Sequence, residues 1–335
     1  MKIGEVVKLK KRLVAIAVSL SVLLGTEVKP QAGASVGDDA GAEQMAQNMS
    51  SEGMQPSTAE DSAIRVVSIS LDSGSTGAVT EDGSLYMWGS NFRGCLGAGP
   101  VGENCNRPVK ILENIQTISI GGHCGAVTKD GNLYMWGRND YGGLGDGTES
   151  HSNRPVKVMD SVQTVSNVWL RSGAVTEDGS LYMWGWNNSN VSPPQGILGD
   201  GTGESRDRPV KVMDNVQTVS LGFDCSGALT KDGSLYVWGF DRIEDGYHSE
   251  PVKVMDNVQT VSLGNSYMGD VYVGGALTKD GSLYMWGNNY SGQLGDGTNE
   301  DRNSPVKVMD NVQMFCLGNH YSGALTKDGR LYMWG

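Results

Sequence analysis

The chain has 335 residues, of which 48 are glycine and only four are phenylalanine. Glycine at about twice its usual share argues against a protein of long helices. The formal net charge is −12, and the first 34 residues hold six Lys or Arg against two Glu, so the remaining residues carry −16. A surface this acidic repels phosphate groups, which disfavours nucleic-acid binding and adhesion to anionic membranes.

The N-terminus is typical of an export signal. Five basic residues between Lys2 and Arg12 precede the apolar run Leu13–Gly25, and Ala32-Gly33-Ala34 forms an A-x-A cleavage site. This run is too short to span the ~30 Å of bilayer hydrocarbon. We expect a signal peptide over residues 1–34, cleaved after Ala34, and a secreted or cell-surface protein. An uncleaved anchor is the alternative.

Residues 35–63 are rich in Ser, Gly, Ala, Asp, Glu and Gln and have little to bury, so we expect a disordered acidic spacer. From residue 64 onward one phrase recurs six times, from GAVTEDGSLYMWG at Gly77 to GALTKDGRLYMWG at Gly335. Successive tryptophans of the phrase are 48, 48, 54, 48 and 48 residues apart, close to the period of propeller blades. These structural tryptophans are Trp88, Trp136, Trp184, Trp238, Trp286 and Trp334.

Each repeat divides into four short predicted strands. Pro-Val-Lys-Val-Met is interpreted as the first strand, Asp-Asn-Val-Gln as the turn into the second, and Asp-Gly as a tight hairpin between the third and fourth, with positive φ at both central residues. Four antiparallel strands repeated radially predict an all-β propeller over residues 64–335. The chain holds six blade equivalents, and the N-terminal unit lacks a recognisable Pro-Val-Lys-Val strand, so the ring has six imperfect blades or the sequence is a fragment; we favour the fragment.

The segment Trp286–Thr298, WGNNYSGQLGDGT, together with the following PVKV and the GALTKDG phrase, resembles the regulator of chromosome condensation repeat family. The resemblance covers residues 64–335 and implies a propeller, usually of seven blades. The family often has a histidine before the third strand, where this chain has Tyr321, Cys225 or no clear equivalent. Secreted bacterial propellers of this class, including a β-lactamase inhibitory protein, have similar repeats and bind partners through a loop rim.

Differences between the repeats point to the functional surface. Alternating strand directions place the uniform Asp-Asn-Val-Gln and Asp-Gly turns on one rim and the variable loops on the other. Rigid aromatic side chains on a varied loop surface suit recognition, because they bury large area at low entropy cost; packing beneath the loops is the alternative reading. The candidate partner-binding residues are Phe92, Tyr141, Trp169, Trp186, Phe223, Tyr267, Tyr290, His320 and Tyr321.

Other chemistry is weakly indicated. The five cysteines lack C-x-x-C spacing, although Cys95 and Cys105 share one predicted loop and could form a local disulfide. The four histidines are interpreted as solvated loop residues, and no catalytic or metal-binding spacing is present. Calcium at the acidic loops of Asp146, Asp200 and Asp296 is the weaker alternative to solvated turns. We expect no cofactor and no enzymatic activity.

The sequence therefore favours an exported, monomeric binding module that holds a protein or surface glycan on its variable rim. The resemblance offers guanine-nucleotide exchange on a small GTPase as an alternative, which would require cytosolic or nuclear residence. A structural repeat region within a longer surface protein is the third interpretation.

Overall fold

A computed structural model describes residues 65–335 except 73, 189–195, 241–246, 265–271 and 319. The predicted signal peptide and spacer lie outside the described residues. Among the described residues the regular elements are strands, apart from two short 3-10 turns, Phe92–Gly94 and Asp140–Gly142. In chain order they are β1 (Val66–Asp72), β2 (Ser75–Thr80), β3 (Leu85–Gly89), β4 (Cys105–Leu112), β5 (Ile115–Ile120), β6 (His123–Thr128), β7 (Leu133–Gly137), β8 (Ser152–Met159), β9 (Val162–Val168), β10 (Arg171–Thr176), β11 (Leu181–Gly185), β12 (Arg206–Met213), β13 (Val216–Leu221), β14 (Cys225–Thr230), β15 (Leu235–Phe240), β16 (Tyr247–Met255), β17 (Val258–Leu263), β18 (Val273–Thr278), β19 (Leu283–Gly287), β20 (Arg302–Met309), β21 (Val312–Leu317), β22 (Ser322–Thr326) and β23 (Leu331–Trp334).

The strands form six antiparallel sheets in sequence order, which confirms the predicted propeller architecture. The first five sheets have four strands each, β1–β4 through β17–β20, and the sixth contains β21, β22 and β23. The first strands of successive sheets pack against one another, so the Val-Gln-Thr-Val-Ser strands are the innermost. A serine from each of several such strands accepts a hydrogen bond from the next sheet, as when Ile120 N donates to Ser70 Oγ at 3.0 Å.

The predicted boundaries of the repeat are wrong by one strand. The Pro-Val-Lys-Val strand is the outermost fourth strand of its sheet, and the Asp-Asn turn after it leads into the next blade. An edge position suits this strand because its proline has no N–H to donate to a neighbour. The N-terminal sheet is consequently complete, ending with Cys105–Leu112, and the sixth sheet is the one with three strands among the described residues.

The core lies between adjacent sheets. Leu85 and Met87 of the first sheet, for example, are fully buried against Ile115 and Ile118 of the second. The same pairing of Leu-Tyr-Met with Val-Gln-Thr-Val recurs at the following junctions, where Leu181 and Met183 contact Val216. Burial of a large aliphatic side chain contributes roughly 1.5–3 kcal/mol, so these repeated contacts hold each blade to the next.

The Asp-Gly hairpins differ from the predicted two-residue turn. Only the glycine has positive φ, as at Gly179 (φ 93°), and the aspartate side chain closes the turn. In this hairpin Asp178 Oδ1 accepts hydrogen bonds from Thr176 Oγ1 at 2.5 Å and from Ser180 N at 2.9 Å. The aspartate therefore acts as a local cap for a four-residue turn.

These hairpins predict a loss of stability in acid. Hydrogen bonds from threonine lower the pKa of the hairpin aspartates, to about 2 for Asp82, from an ordinary value of 3.8. Because the pKa is lower in the folded chain, the contribution to stability is complete above pH 3.8 and is lost as pH falls through about 2. We expect the urea midpoint to fall between pH 4 and pH 2. Replacing Asp178 by asparagine should reduce that fall, and an unchanged pH profile would contradict this role.

Candidate partner-binding surface

The two ends of each sheet carry different connections. The Asp-Gly hairpins and the Asp-Asn turns lie at one end, and the loops between first and second and between third and fourth strands meet at the other. Backbone hydrogen bonds join the latter two kinds of loop, since Trp186 N donates to Leu170 O at 3.0 Å. We call the loop-bearing end the variable rim. Among the described residues its loops comprise 74, 90–104, 121–122, 138–151, 169–170, 186–188, 196–205, 222–224, 264, 272, 288–301, 318 and 320–321.

Long loops of the rim are fastened from within by a buried asparagine. Asn139 Oδ1 accepts a hydrogen bond from Leu144 N at 2.8 Å, and its Nδ2 donates to Thr148 O at 2.9 Å. Asn187 and Asn289 occupy the same position in two other loops and make the same kinds of bond. A loop fixed before binding loses less conformational entropy when a partner arrives.

Tryptophans of the repeated phrase bind the same kind of loop from the neighbouring blade. Trp184 Nε1 donates to Gly143 O at 3.0 Å, and Trp136 Nε1 donates to Cys95 O at 3.0 Å. Both rings are fully buried, as are Trp238 and Trp286. Trp334 makes the equivalent bond to Gln293 O at 2.9 Å. In these three repeats the tryptophan therefore supports the variable loop of the repeat before it, whereas Trp286 Nε1 donates to Tyr272 Oη of its own sheet at 2.7 Å.

Aspartates of the long loops are already bonded within the protein. Asp200 Oδ2 accepts from Arg206 Nε at 2.8 Å and Oδ1 accepts from Thr202 N at 3.0 Å, and Asp296 has the same partners in Arg302 and Thr298. Across the described ranges no group of three or more His, Cys, Asp or Glu side chains could hold a metal ion. These carboxylates therefore stabilise the conformation of their own loops.

Three predicted partner-binding residues come together in one aromatic cluster, formed by Trp169, Trp186 and Phe223. The Trp169 ring lies edge-on to Trp186, with centroids 5.7 Å apart, and tilted against Phe223 at 5.2 Å. The Arg138 guanidinium lies over the Trp169 ring at 5.2 Å from its centroid. All three rings are half-buried, so they pack on one another and also present surface to solvent.

Trp169 has an unusual backbone. Its φ is 38°, a left-handed conformation that a bulky residue rarely adopts. Gly122 of the preceding sheet approaches so closely that a Cβ there would meet the Trp169 carbonyl oxygen. A side chain at Gly122 would therefore displace the aromatic cluster. Backbone strain of this kind persists where the surroundings hold it, which is common at binding sites.

Two basic side chains and one carboxylate link the cluster to the first long loop. Asp140 lies between Arg93, with which it forms an ion pair, and Arg138, which stacks on Trp169. Burial acts to raise the pKa of Asp140, but hydrogen bonds and charge from Arg138 and Arg93 outweigh it and lower the pKa below its ordinary value. The carboxylate stays ionised at neutral pH and keeps Arg138 in place.

His123 lies beneath the cluster and is not the solvated histidine that the sequence suggested. It starts β6, is buried, and its ring nitrogens lie 3.3 Å from Trp169 O and 2.6 Å from Ser172 Oγ. It pairs with Gly137 of β7. Arg171 and Cys225 are its equivalents in the next two sheets, where they pair with Gly185 and Gly239. Ser172 is also buried and its Oγ donates to Gly143 O at 2.9 Å, so this pair supports the rim from inside.

Burial of His123 predicts a second pH effect. Desolvation lowers the pKa of His123 from 6.5 to about 4. Protonation is thus harder in the folded chain, so the stability contributed by the neutral ring is complete above pH 6.5 and declines as pH falls from there toward about 4. In NMR titrations the His123 ring should remain neutral at pH 5.5. A titration midpoint near the ordinary value would show that the ring is accessible to water.

Arg171 was missed by sequence reasoning. Its guanidinium is fully buried and donates to the carbonyl oxygens of Gly222 (2.8 Å), Cys225 (3.0 Å), Phe223 (3.3 Å) and Ile197 (3.3 Å). Burial lowers its pKa to about 10, which leaves it charged at neutral pH. It thereby joins two strands' ends and two loops under the aromatic cluster. Only its position directly after Trp169-Leu170 signalled a role.

The remaining candidates lie apart from the cluster. Phe92 is 64% exposed and Tyr141 is 49% exposed, each on the 3-10 turn of its own loop. Tyr290 Oη lies 2.8 Å from His320 Nδ1, and Tyr321 beside them is 61% exposed. Tyr267 lies outside the described residues. The structure therefore shows an aromatic cluster, an exposed Tyr290–His320–Tyr321 group and two single aromatic side chains.

Cys95 and Cys105, the possible disulfide pair, are separate thiols in the structure. Cys105 Sγ donates to Arg107 O at 3.2 Å, and Cys95 Sγ points toward Gly122 O at 3.7 Å. Cys105 begins the outer strand β4, whereas the bond from Trp136 Nε1 draws the Cys95 backbone toward the second sheet. Sharing one loop in sequence therefore did not bring the two thiols together.

Comparison with known proteins identifies the repeat. Residues 82–127, 130–169 and 280–325 match the family model of the regulator of chromosome condensation (RCC1) repeat. In these three segments the propeller is similar to the RCC1 repeat. Among curated proteins no sequence matches this chain.

Solved structures support the same fold. Human WBSCR16 superposes with a TM-score of 0.65 at 21% identity, over 78% of this chain and 72% of that one. Prp20p from Saccharomyces cerevisiae gives a TM-score of 0.60 at 24% identity, over 74% of this chain and 65% of that one. Yeast RCC1 (Prp20) in its complex with Kap60 gives 0.63 at 20% identity, over 81% and 70%. The chain spans under two thirds of Prp20p in the second comparison, and at these identities the likeness shows the fold alone.

Proposed function

We propose that this propeller is an exported, non-catalytic module that binds a protein or a surface glycan through its variable rim. The observation that carries the proposal is the half-buried aromatic cluster of Trp169, Trp186 and Phe223, in which Trp186 lies on a loop that the buried Asn187 holds in shape. Pre-organised aromatic surface favours binding because little side-chain entropy remains to be lost. Yeast RCC1 (Prp20), whose structure is similar to this chain, was solved in a complex with Kap60.

The non-catalytic part of the proposal follows from how the polar groups are used. His123 and Ser172 are shut off from solvent, and the loop aspartates are bonded to arginine and threonine. A general base or nucleophile must reach substrate within hydrogen-bond distance. These groups instead serve the scaffold.

Partner capture tests the rim. The chain would be incubated with extracellular material, and the amount captured compared with that of a Phe92→Ala, Tyr141→Ala, Trp186→Ala variant. A matched control, Glu177→Ala, changes an exposed residue at the hairpin end. We expect the triple variant to lose most of the captured partner and the control to lose none. Protease and glycosidase treatment of the captured material distinguishes a protein from a glycan. Equal capture by all three would contradict the proposal.

Export is tested separately. The basic and apolar N-terminus with its A-x-A site supports cleavage after Ala34. No helix among the described residues is long and apolar enough to cross a bilayer. N-terminal sequencing of the protein from culture medium should begin at Ser35. Retention in the cytosol would favour the alternative of guanine-nucleotide exchange.

A further inference from the structure

Arg138 differs from the residues at the same position of the other repeats. The residue two places after the phrase tryptophan in the first five repeats is Ser90, Arg138, Trp186, Phe240 and Asn288. Two blades thus place an aromatic ring at this point, and one places a guanidinium group. The fold of the blade therefore does not require an arginine here.

The Arg138 guanidinium is held in one orientation at the edge of the aromatic cluster. Its Nε donates to Asp140 Oδ2 at 2.5 Å, and its central carbon lies 5.2 Å from the centroid of the Trp169 ring. An arginine that stacks on an aromatic ring and is bonded at Nε has little conformational freedom left to lose when a ligand binds.

The other donors of Arg138 are available. Among the described residues no oxygen accepts a hydrogen bond from its Nη1 or Nη2, and the side chain is 22% exposed. The N–H groups of a guanidinium form a fixed planar fork that matches the two oxygens of a carboxylate. Arg138 therefore presents preformed donors for such a group.

The positive charge around Arg138 is only partly balanced. Asp140 is also the ion-pair partner of Arg93, so two guanidinium groups share one carboxylate. His151 lies 3.9 Å from the same carboxylate, and its Nδ1 accepts a hydrogen bond from Asn139 N at 3.0 Å, so that nitrogen carries no proton. Within this group an arriving carboxylate would meet an excess of positive charge.

Aromatic rings adjoin both arginines of this group. Arg138 lies over Trp169, and Arg93 lies over the exposed ring of Phe92 at 5.2 Å from its centroid. Charged residues flanked by rings that exclude water are typical of the centre of a protein–protein contact. A ligand at Arg138 would therefore have apolar surface to contact beside its carboxylate.

The packing around Trp169 favours a protein over a glycan. A sugar that stacks on Trp169 would need an open ring face. Trp169 already has Arg138 over its face, Trp186 edge-on and Phe223 tilted against it. Acidic and apolar side chains of a protein can contact the guanidinium and the outer ring edges without such a face.

We infer that Arg138 anchors a partner protein by binding the carboxylate of one of its aspartate or glutamate side chains, while neighbouring apolar side chains of the partner contact the aromatic cluster. The inference rests on the function proposed above and specifies its partner. Asp140 is a positioning residue, because it acts through Arg138.

Two short peptides test the pairing. N-acetyl-Asp-Phe-amide has a carboxylate beside an apolar ring, and N-acetyl-Asn-Phe-amide is its uncharged match. The 335-residue chain is labelled with ¹⁵N at its indole nitrogens, and Trp169→Phe and Trp186→Phe assign the two rim signals in NMR spectra. We expect both signals to shift saturably, with the aspartyl peptide bound about fivefold more tightly than the asparaginyl one.

Variants isolate the guanidinium. Arg138→Gln should lower the affinity for the aspartyl peptide to that for the asparaginyl peptide and leave the latter unchanged, whereas damage to the cluster would weaken both. Arg138→Lys keeps the charge but not the fork and should recover only part of the preference. Arg330→Gln makes the same change at an exposed hairpin and should leave the preference intact.

The capture experiment separates this inference from the proposed function. If the chain captures a partner but shows no preference between the peptides, and Arg138→Gln captures as much as the wild type, the inference is wrong and the binding role of the rim stands. If the peptide preference is present and no partner is captured, the proposed function is wrong and the carboxylate site stands.

A sugar acid tests the choice of a protein. D-glucuronate is added as a competitor of the aspartyl peptide. We expect it to displace the peptide only at concentrations well above the peptide's own dissociation constant, because it lacks the apolar contact. Displacement at lower concentrations than this would identify an acidic glycan as the better ligand and overturn the inference.

Discussion

Replacing Trp184 by alanine is expected to lower the free energy of unfolding by about 3–5 kcal/mol, the range for a fully buried large aromatic residue. The ring packs with Leu133, Leu144 and Val162 and so joins two sheets. Its Nε1 also holds Gly143 O of the second long loop, so the substitution leaves a cavity and frees a support of the variable rim. Urea unfolding followed by circular dichroism measures the loss.

Trp334 provides the matched control. It makes the equivalent bond, to Gln293 O at 2.9 Å, but its ring is only half-buried. Trp334→Ala should therefore cost clearly less, because less apolar area returns to water. Equal losses from the two variants would show that the tryptophans stabilise the propeller through the hydrogen bond alone.

The blade architecture could be predicted because it is repeated. Six copies of one phrase at near-constant spacing fixed the period, and strands with alternating apolar residues follow from it. The spacing did not show which strand begins a blade, since a repeating pattern can be divided before any of its four strands. The proline of Pro-Val-Lys-Val was the available cue, because a missing N–H suits an edge strand better than an inner one.

The surface was predictable in part. Loop variability identified the rim, and three of the candidate aromatic residues meet there as Trp169, Trp186 and Phe223. The buried residues beneath this cluster could not be predicted from the spacing of the repeats. His123 and Arg171 are polar residues in loops by sequence pattern, yet they are buried because neighbouring blades close over them and supply carbonyl partners from about 50 residues away.

The separation of Cys95 and Cys105 has a related cause. Cys95 lies between β3 and β4 and Cys105 begins β4, so local spacing made a bridge reasonable. Inter-blade contacts instead determine the position of Cys95, whose carbonyl accepts hydrogen bonds from Trp136 Nε1 and Cys124 Sγ of the second sheet. In a propeller, partners one repeat away can outweigh partners within a loop.

Arg171 carries the second large prediction. Arg171→Met keeps the length of the side chain but removes the charged donor to the carbonyl oxygens of Gly222, Phe223 and Cys225, and a hydrogen bond from a charged group contributes about 1.5–3 kcal/mol. We expect a loss of about 2–4 kcal/mol in the free energy of unfolding after partial relaxation. Because Phe223 belongs to the aromatic cluster, the near-ultraviolet circular dichroism of the cluster should weaken as well.

Arg171→Lys separates charge from geometry. Lysine keeps the positive charge, but its single ammonium group cannot reach acceptors on both sides as the planar guanidinium does. It should therefore recover only part of the stability and little of the near-ultraviolet signal. If lysine restored both the stability and the near-ultraviolet signal, the buried positive charge would be the essential property of Arg171. The several hydrogen bonds of the guanidinium would then not be what positions Phe223 against Trp169.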